Sequence, residues 1–245
     1  MKKLLLGLCI FICSASLAQS KYLSFKDGYV SPKKFNAPQK TITNGESYID
    51  VEYKFDGAYL KQIPNGNNKA YYRMYMDDAL YTYRMTTMEL YEPNRMPYYK
   101  DLLVLNESSF YNSAKIEIIK EEHQDYKCPF GDQEISVISD ESNYGPITND
   151  TTKKFNIKDL VKFIYMSTFR SVPIVSVNSY PVWYDSNTKT LRCYSYIKYR
   201  ITWGKEDYDK KPVSTPMSKL AYDLLGRVSS NPEMLKNYDS KSLET

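Results

Sequence analysis

Histidine is almost absent from this chain of 245 residues, which contains only His123. A zinc site needs several histidine or cysteine ligands, and a Cys–His nucleophile needs its imidazole within hydrogen-bond reach of the thiol. Cys128 lies five residues from His123, but no recognisable catalytic motif surrounds the two. The sequence therefore favours a surface histidine and predicts neither a metal site nor a cysteine-based active site.

Glycine-rich loops are also missing, because the nine glycines are scattered singly along the chain. Without such a loop there is no cradle for the phosphates of a nucleotide. Two pairs of adjacent carboxylates, at positions 77–78 and 121–122, are more typical of solvated charges than of an acid–base pair. The sequence thus predicts a protein that is not an enzyme and that carries no cofactor.

The chain has no large excess of basic residues. Its 33 lysines and arginines nearly balance its 29 aspartates and glutamates, for a formal net charge of +4. Removal of a leader that contains Lys2 and Lys3 lowers this charge to +2. A nucleic-acid-binding protein needs a concentrated basic face, so the sequence predicts no nucleic-acid partner.

The one long apolar run lies at the N-terminus. Two lysines precede the apolar residues 4–12, and Ser16 and Ala18 put small side chains before a cleavage point. This pattern is typical of a secretory signal peptide, and no later segment is apolar enough to span a membrane. We predict that residues 1–18 are removed and that the protein is exported to the periplasm or beyond.

Cleavage would leave two cysteines, Cys128 and Cys193. In an oxidising compartment they could form a disulfide. Two separate buried thiols are the alternative, because a free cysteine packs like a small apolar side chain. Sequence separation alone does not decide between these alternatives.

Tyrosine is abundant, with 25 in the chain, and it suits the half-buried surface of a sheet. Alternation is clear in residues 47–55, and strands are also expected at 70–76, 79–89, 102–105, 114–122 and 172–177. We predict a β domain over residues 46–204. A flexible N-terminal arm over residues 19–45 precedes it, and residues 205–245 form a linker and an amphipathic helix that starts at Thr215.

Two segments inside the β domain do not alternate. Residues 127–154 contain proline, glycine and many short polar side chains, which predicts a long loop. Residues 155–169 have apolar side chains at helical spacing, at Leu160, Val161 and Ile164, which predicts a short helix.

Residues 180–203 are the most regularly patterned part of the chain. The polar residues 185–188 supply turn chemistry, and the residues that follow alternate between apolar side chains from Leu191 to Trp203 and polar ones. A period of two places one face of a strand in the core and the other in water. We interpret this hairpin as scaffold and the strand at residues 172–177 as leading into it.

Residues 169–203 also carry a family pattern. Phe169-Arg170-Ser171 precedes an alternating strand, a Pro181-to-Asp185 element and the turn Thr188-Lys189-Thr190-Leu191. This series resembles the closing segment of the gingipain-type propeptide domain, and residues 48–57 are similar to its beginning. Ser171 and Ser186 depart from the glycine and proline of that pattern. The resemblance covers about residues 46–235 and implies an all-β fold, an antiparallel β-sandwich of jelly-roll type, with a C-terminal helix.

A propeptide of this kind assists the folding of a cysteine peptidase and holds it latent, with a basic loop residue in the substrate cleft. The peptidase domain is not part of the sequence, so the resemblance implies a protein partner, a gingipain-type cysteine peptidase bound in trans. Lys153, Lys154 and Arg170 are the basic residues that could occupy its cleft. Solvated loop charges are the alternative for all three.

Two other functions fit the same residues. The protein could be a binding or structural module of the cell envelope, whose tyrosine-rich strands contact another protein or a glycan, because a fold does not determine a function. It could also be the remnant of a peptidase precursor that has lost its catalytic domain.

Overall fold

The computed structural model of the chain describes residues 20–30, 37–64, 70–76, 98–105, 114–127, 156–170, 172–185, 188–203 and 218–238. Twelve strands dominate these residues, and all of their pairings are antiparallel. The strands are β1 Ser20–Ser24, β2 Gly28–Val30, β3 Gln39–Asn44, β4 Tyr48–Lys54, β5 Gly57–Pro64, β6 Ala70–Tyr75, β7 Tyr99–Val104, β8 Lys115–Lys127, β9 Val161–Phe169, β10 Val172–Ser179, β11 Val182–Asp185 and β12 Thr190–Thr202.

The strands form three sheets. Sheet I has the order β2-β1-β5-β6, and sheet III has the order β7-β10-β9. Sheet II is built around β12, which pairs with β8 along one edge and with β4 and β11 along the other, while β3 pairs with β4. One apolar core contains side chains from all three sheets, among them Leu23, Ile49, Val51, Leu60, Leu103, Val175, Ile197 and Ile201. This is the antiparallel β-sandwich that the sequence predicts.

The two best-patterned segments are the strands that the sequence predicts. In β4 the odd-numbered residues from Ile49 to Tyr53 are buried, while their even-numbered neighbours are half-buried or exposed. β12 alternates in the same way except at Tyr194, which lies on the predicted wet face but is fully buried. A register shift beside Tyr194 marks a β-bulge against β8, and the ring of His123 covers it at 5.2 Å. The extra residue of this bulge is Ser195 of β12 itself, and a bulge is not visible in a period of two.

The prediction of a flexible arm over residues 19–45 is wrong for the described residues. β1 and β2 belong to sheet I, and β3 extends sheet II beside β4. Leu23 and Phe25 are fully buried in the core. These strands are short and separated by polar residues, so their apolar side chains are too few for a local pattern. Only their pairing with β4 and β5 makes them strands.

The predicted helix over residues 155–169 is also wrong. A 3-10 helix, Ile157–Asp159, is followed by β9. Aromatic residues favour strands. Eight residue pairs between β9 and β10 hold this segment as a strand, in spite of the helical spacing of its apolar side chains. The predicted strand at residues 172–177 exists as β10 and directly precedes β11 along the chain, but it pairs with β9 and β7 of sheet III and not with the β11–β12 hairpin. The predicted strand 79–89 and the leader lie outside the described residues, and so does the predicted loop 127–154 except for Lys127, which ends β8.

The C-terminal helix, Lys219–Val228, is present as predicted but begins after Ser218, whose hydroxyl accepts a 3.3 Å hydrogen bond from the Ala221 N–H. A 3-10 helix, Pro232–Tyr238, follows it. Together they form a second apolar cluster on the outer face of sheet III, made of Val104, Val172, Ile174, Ala221, Leu225, Met234 and Leu235. β10 is therefore buried on both faces, which explains its unbroken run of buried residues.

Candidate functional site

The turn between β9 and β10 carries one of the three basic residues proposed for a peptidase cleft. Phe169 pairs with Val172, so Arg170 lies in the tight turn that joins β9 to β10. Arg170 has a positive φ of 46°, as the first residue of the tight turns that suit twisted hairpins requires. Its side chain is exposed, and within the described part of the chain it has no hydrogen-bond or ion-pair partner. The turn presents an uncompensated guanidinium to solvent.

Lys153 and Lys154 lie outside the described residues, but the point at which the described chain resumes is known. Asn156 caps the 3-10 helix, its side chain accepting a hydrogen bond from the Lys158 N–H at 3.0 Å. That helix leads into β9 at the end opposite Arg170. Nine residues of extended strand span roughly 30 Å, whereas two or three residues reach at most about 11 Å. Arg170 and the 3-10 helix therefore flank opposite ends of β9.

His123 and Cys193 do not form a nucleophile–base pair. His123 lies opposite Tyr194, while Cys193 lies opposite Gln124, so the two side chains project to opposite faces of sheet II. Cys193 is fully buried in the core, and this burial raises the pKa of its thiol well above the ordinary value. The His123 Nδ1 lies 2.7 Å from Oε2 of Glu121 on the outer face.

The possible disulfide partner, Cys128, lies outside the described residues. Lys127, the residue before it, pairs with Thr190. Thr190 is three strand residues from Cys193, a separation of roughly 10 Å, whereas bridged cysteines have Cα atoms within about 7 Å. Pairing would require the chain to turn back directly after Lys127.

Sequence reasoning missed the most connected polar group in the described part of the chain, the carboxylate of Asp101. It is fully buried and accepts hydrogen bonds from Lys40 Nζ at 2.8 Å, Tyr53 Oη at 2.6 Å, Tyr199 Oη at 3.2 Å and Ser230 Oγ at 2.7 Å. Burial raises the pKa of Tyr53 and Tyr199 far above the ordinary value, and the neighbouring carboxylate raises it further. One sequence signal could have revealed it. An acidic residue occupies an inward-facing position of β7, and the inward-facing positions on either side of it are apolar.

The C-terminal segment completes the free edge of β7. Ser230 N–H donates to the Leu102 carbonyl at 2.7 Å. The Asn231 side chain accepts from the Val104 N–H at 2.8 Å and donates to the Val104 carbonyl at 2.9 Å, so it imitates a paired strand. An exposed edge strand is a template for unwanted pairing, and this contact closes it.

The outer face of sheet II is covered by ion pairs. Arg200 donates two hydrogen bonds to Asp50, at 2.6 and 2.8 Å, and Arg192 donates two to Asp125, both at 2.8 Å. These hydrogen bonds hold the pKa of both aspartates below the usual range. Because these charges are mutually satisfied, this face offers little uncompensated charge to a ligand.

No group of three or more potential metal ligands occurs within the described ranges. Nor does that part of the chain include a helix with the length and apolar character needed to cross a membrane.

No protein-family model matches the sequence, and no curated protein matches it significantly. Two solved structures do share its fold. A chain from the complex of Porphyromonas gingivalis RgpB pro- and mature domains aligns with a TM-score of 0.57 and 19% identity, over 81% of this chain and 98% of that one. A structure of gingipain K from Porphyromonas gingivalis, concerned with its zymogenic latency, aligns with a TM-score of 0.53 and 15% identity, over 76% of this chain and 99% of that one.

At these identities the similarity establishes the fold. The chain has a gingipain propeptide-like fold, and the architecture that the sequence resemblance implied is confirmed.

Proposed function

We propose that this chain is a prodomain-like protein that binds a gingipain-type cysteine peptidase in trans and holds it inactive, or assists its folding. The observation that carries the proposal is the extent of the shared fold, since 98% of the aligned chain from the RgpB pro- and mature-domain complex is matched.

The two groups of basic residues suit different contacts. A segment that occupies a peptidase cleft as a substrate mimic lies there as an extended strand. Arg170 is not extended, because its φ is 46° in the tight turn closed by the pairing of β9 with β10. We therefore assign the cleft to the segment before Asn156, with Lys153 or Lys154 as the basic side chain, and assign Arg170 to a separate contact with the peptidase surface.

Inhibition of a purified family peptidase that cleaves after basic residues tests this assignment. We expect slow inhibition by the wild-type protein, weakened about 30-fold or more by the double change Lys153→Ala and Lys154→Ala, the effect of losing one buried interface anchor. Arg170→Asn should weaken inhibition only a few-fold, because a peripheral charge contributes little. Asparagine tolerates the positive φ of the turn, so this change removes the guanidinium and keeps the backbone.

Lys189→Asn is the matched control. Lys189 is the other described non-glycine residue with a positive φ, 55°, and it lies in the turn before β12; its replacement should not change inhibition. Peptidase activity and refolding yield that are both unaffected by micromolar wild-type protein would exclude the proposed function. Full inhibition by the double variant would instead show that the lysines are not the cleft residues.

A further inference from the structure

The outer face of sheet III is divided into two halves. The C-terminal helix covers the half that contains Val172 and Ile174. The other half is polar and aromatic, and we call it the tyrosine–lysine patch. It consists of Lys100, Lys162, Tyr165 and Tyr180 around Ser176 and Asn178 of β10.

The floor of this patch has buried polar atoms without partners. Val175 and Val177 face the main core, so the alternation of β10 directs Ser176 and Asn178 to the outer face. Ser176 is fully buried and Asn178 is 4% exposed, yet Ser176 Oγ and Asn178 Oδ1 have no hydrogen-bond partner among the residues that the structure describes. Such atoms cost free energy unless something else satisfies them. Both accept hydrogen bonds, so a ligand with hydroxyl donors suits them.

Aromatic rings and ammonium groups surround the floor. The Lys100 ammonium lies 5.6 Å from the centroid of the Tyr165 ring, and because these residues are on the strands that flank β10, the contact crosses above the floor. Lys162 lies 5.8 Å from the Tyr180 ring and 3.0 Å from an oxygen of Asp159. Tyr165 is 42% exposed.

The two lysines differ in charge balance. Lys162 is neutralised by Asp159, whereas no carboxylate pairs with Lys100 among the described residues. Lys100 is also held only by the cation–π contact, a weak interaction at a partly exposed site. Its flexible side chain can therefore leave Tyr165 and expose both the ring and the floor.

We propose that the tyrosine–lysine patch binds an acidic oligosaccharide. Sugar hydroxyls would donate to Ser176 Oγ and Asn178 Oδ1, an apolar sugar face would stack on Tyr165, and the sugar carboxylate would pair with Lys100. A peptide strand fits less well, because β10 is the central strand of sheet III and its backbone is already paired on both sides. The proposal is independent of peptidase binding.

The test is binding of the protein, secreted from cells that express the full chain, to an array of immobilised acidic and neutral oligosaccharides. We expect retention on one or more carboxylate-bearing oligosaccharides, and weaker retention on their neutral counterparts. Tyr165→Ala should weaken binding about tenfold or more, and Tyr165→Phe, which keeps the ring, should bind nearly as the wild type. Lys100→Met should remove the preference for the acidic member of each pair.

Ile164→Ala is the matched control, because Ile164 is the adjacent residue and is 41% exposed. Its binding should equal that of the wild type, and circular dichroism should show that all variants are folded. Three outcomes would overturn the proposal: no retention on any oligosaccharide, equal binding by the folded Tyr165→Ala protein, or equal retention on poly-glutamate, which would reflect charge alone. Binding to a protein surface through this patch, with no sugar retained, counts against it in the same way.

Discussion

The Tyr53 hydroxyl donates a 2.6 Å hydrogen bond to Oδ2 of Asp101, and this contact joins sheet II to sheet III through the core. The other carboxylate oxygen accepts from Lys40 and from Ser230 of the C-terminal segment. One buried side chain thus ties two layers of the sandwich to the segment that covers the edge of β7. Removal of the Asp101 carboxylate should therefore destabilise both layers and the C-terminal segment together.

Asp101→Asn should lower the free energy of unfolding by roughly 3 kcal/mol or more. Both carboxylate oxygens accept from donors, so the amide nitrogen of asparagine would face a donor whichever way it is turned. Urea unfolding checks this, with Asp125→Asn as the control. Asp125 is bonded to Arg192 at the surface, and its change should cost less than about 1 kcal/mol. Similar losses for both variants would contradict this account of Asp101.

Alkaline pH should destabilise the fold through its buried phenols. Burial, followed by the charge of Asp101, raises the pKa of Tyr53 above the model-compound value of 10.0. The folded state therefore keeps a proton that the unfolded chain releases near pH 10. The stabilisation of the folded state by this retained proton is fully present below that pH. It is lost as the pH rises further, by about 1.4 kcal/mol of unfolding free energy per pH unit for each such tyrosine.

Urea unfolding at several pH values from about 9 to 11 measures this slope. Tyr53→Phe should reduce it by the share of one tyrosine, while Tyr199, which is fully buried and also has a raised pKa, continues to contribute. Tyr165→Phe is the control, because that ring is partly exposed. A slope unchanged by Tyr53→Phe would show that this phenol ionises in the folded protein.

Two free thiols are expected in the mature protein. The register of β8 with β12 places Lys127 opposite Thr190 and away from Cys193, which favours separate thiols at Cys128 and Cys193. Thiol titration without reductant should count two in denaturant. In the folded protein the Cys193 thiol should not react near neutral pH, since burial raises its pKa. A count of zero in denaturant would establish the disulfide.

Leu225 and Leu224 form a matched pair on the C-terminal helix. Leu225 is 3% exposed and packs on sheet III, whereas Leu224 is 53% exposed. Leu225→Ala should cost roughly 2–4 kcal/mol of unfolding free energy, as for other buried leucines, and Leu224→Ala less than about 0.5 kcal/mol. Thermal and urea unfolding compare them, and equal costs would mean that the exposed face of this helix is also covered.

The amino-acid sequence by itself determined the strands that alternate strictly, β4 and most of β12, because a period of two depends only on which face of each strand meets the core. It also determined the C-terminal helix and, through the residues 169–203, the propeptide-like fold. Arg170 was chosen as a basic candidate from the same family pattern, but its place in a tight turn was not predicted.

Tertiary structure alone decided the rest. β1 has no local strand pattern and β9 has helical spacing, yet both are strands because neighbouring strands pair with them. Tyr194 is buried because a bulge and His123 cover it. The burial of Asp101 also depends on the tertiary structure, because its four hydrogen-bond donors come from segments up to 129 residues away. Burial of a polar group depends on partners that are distant in sequence, and no local pattern contains them.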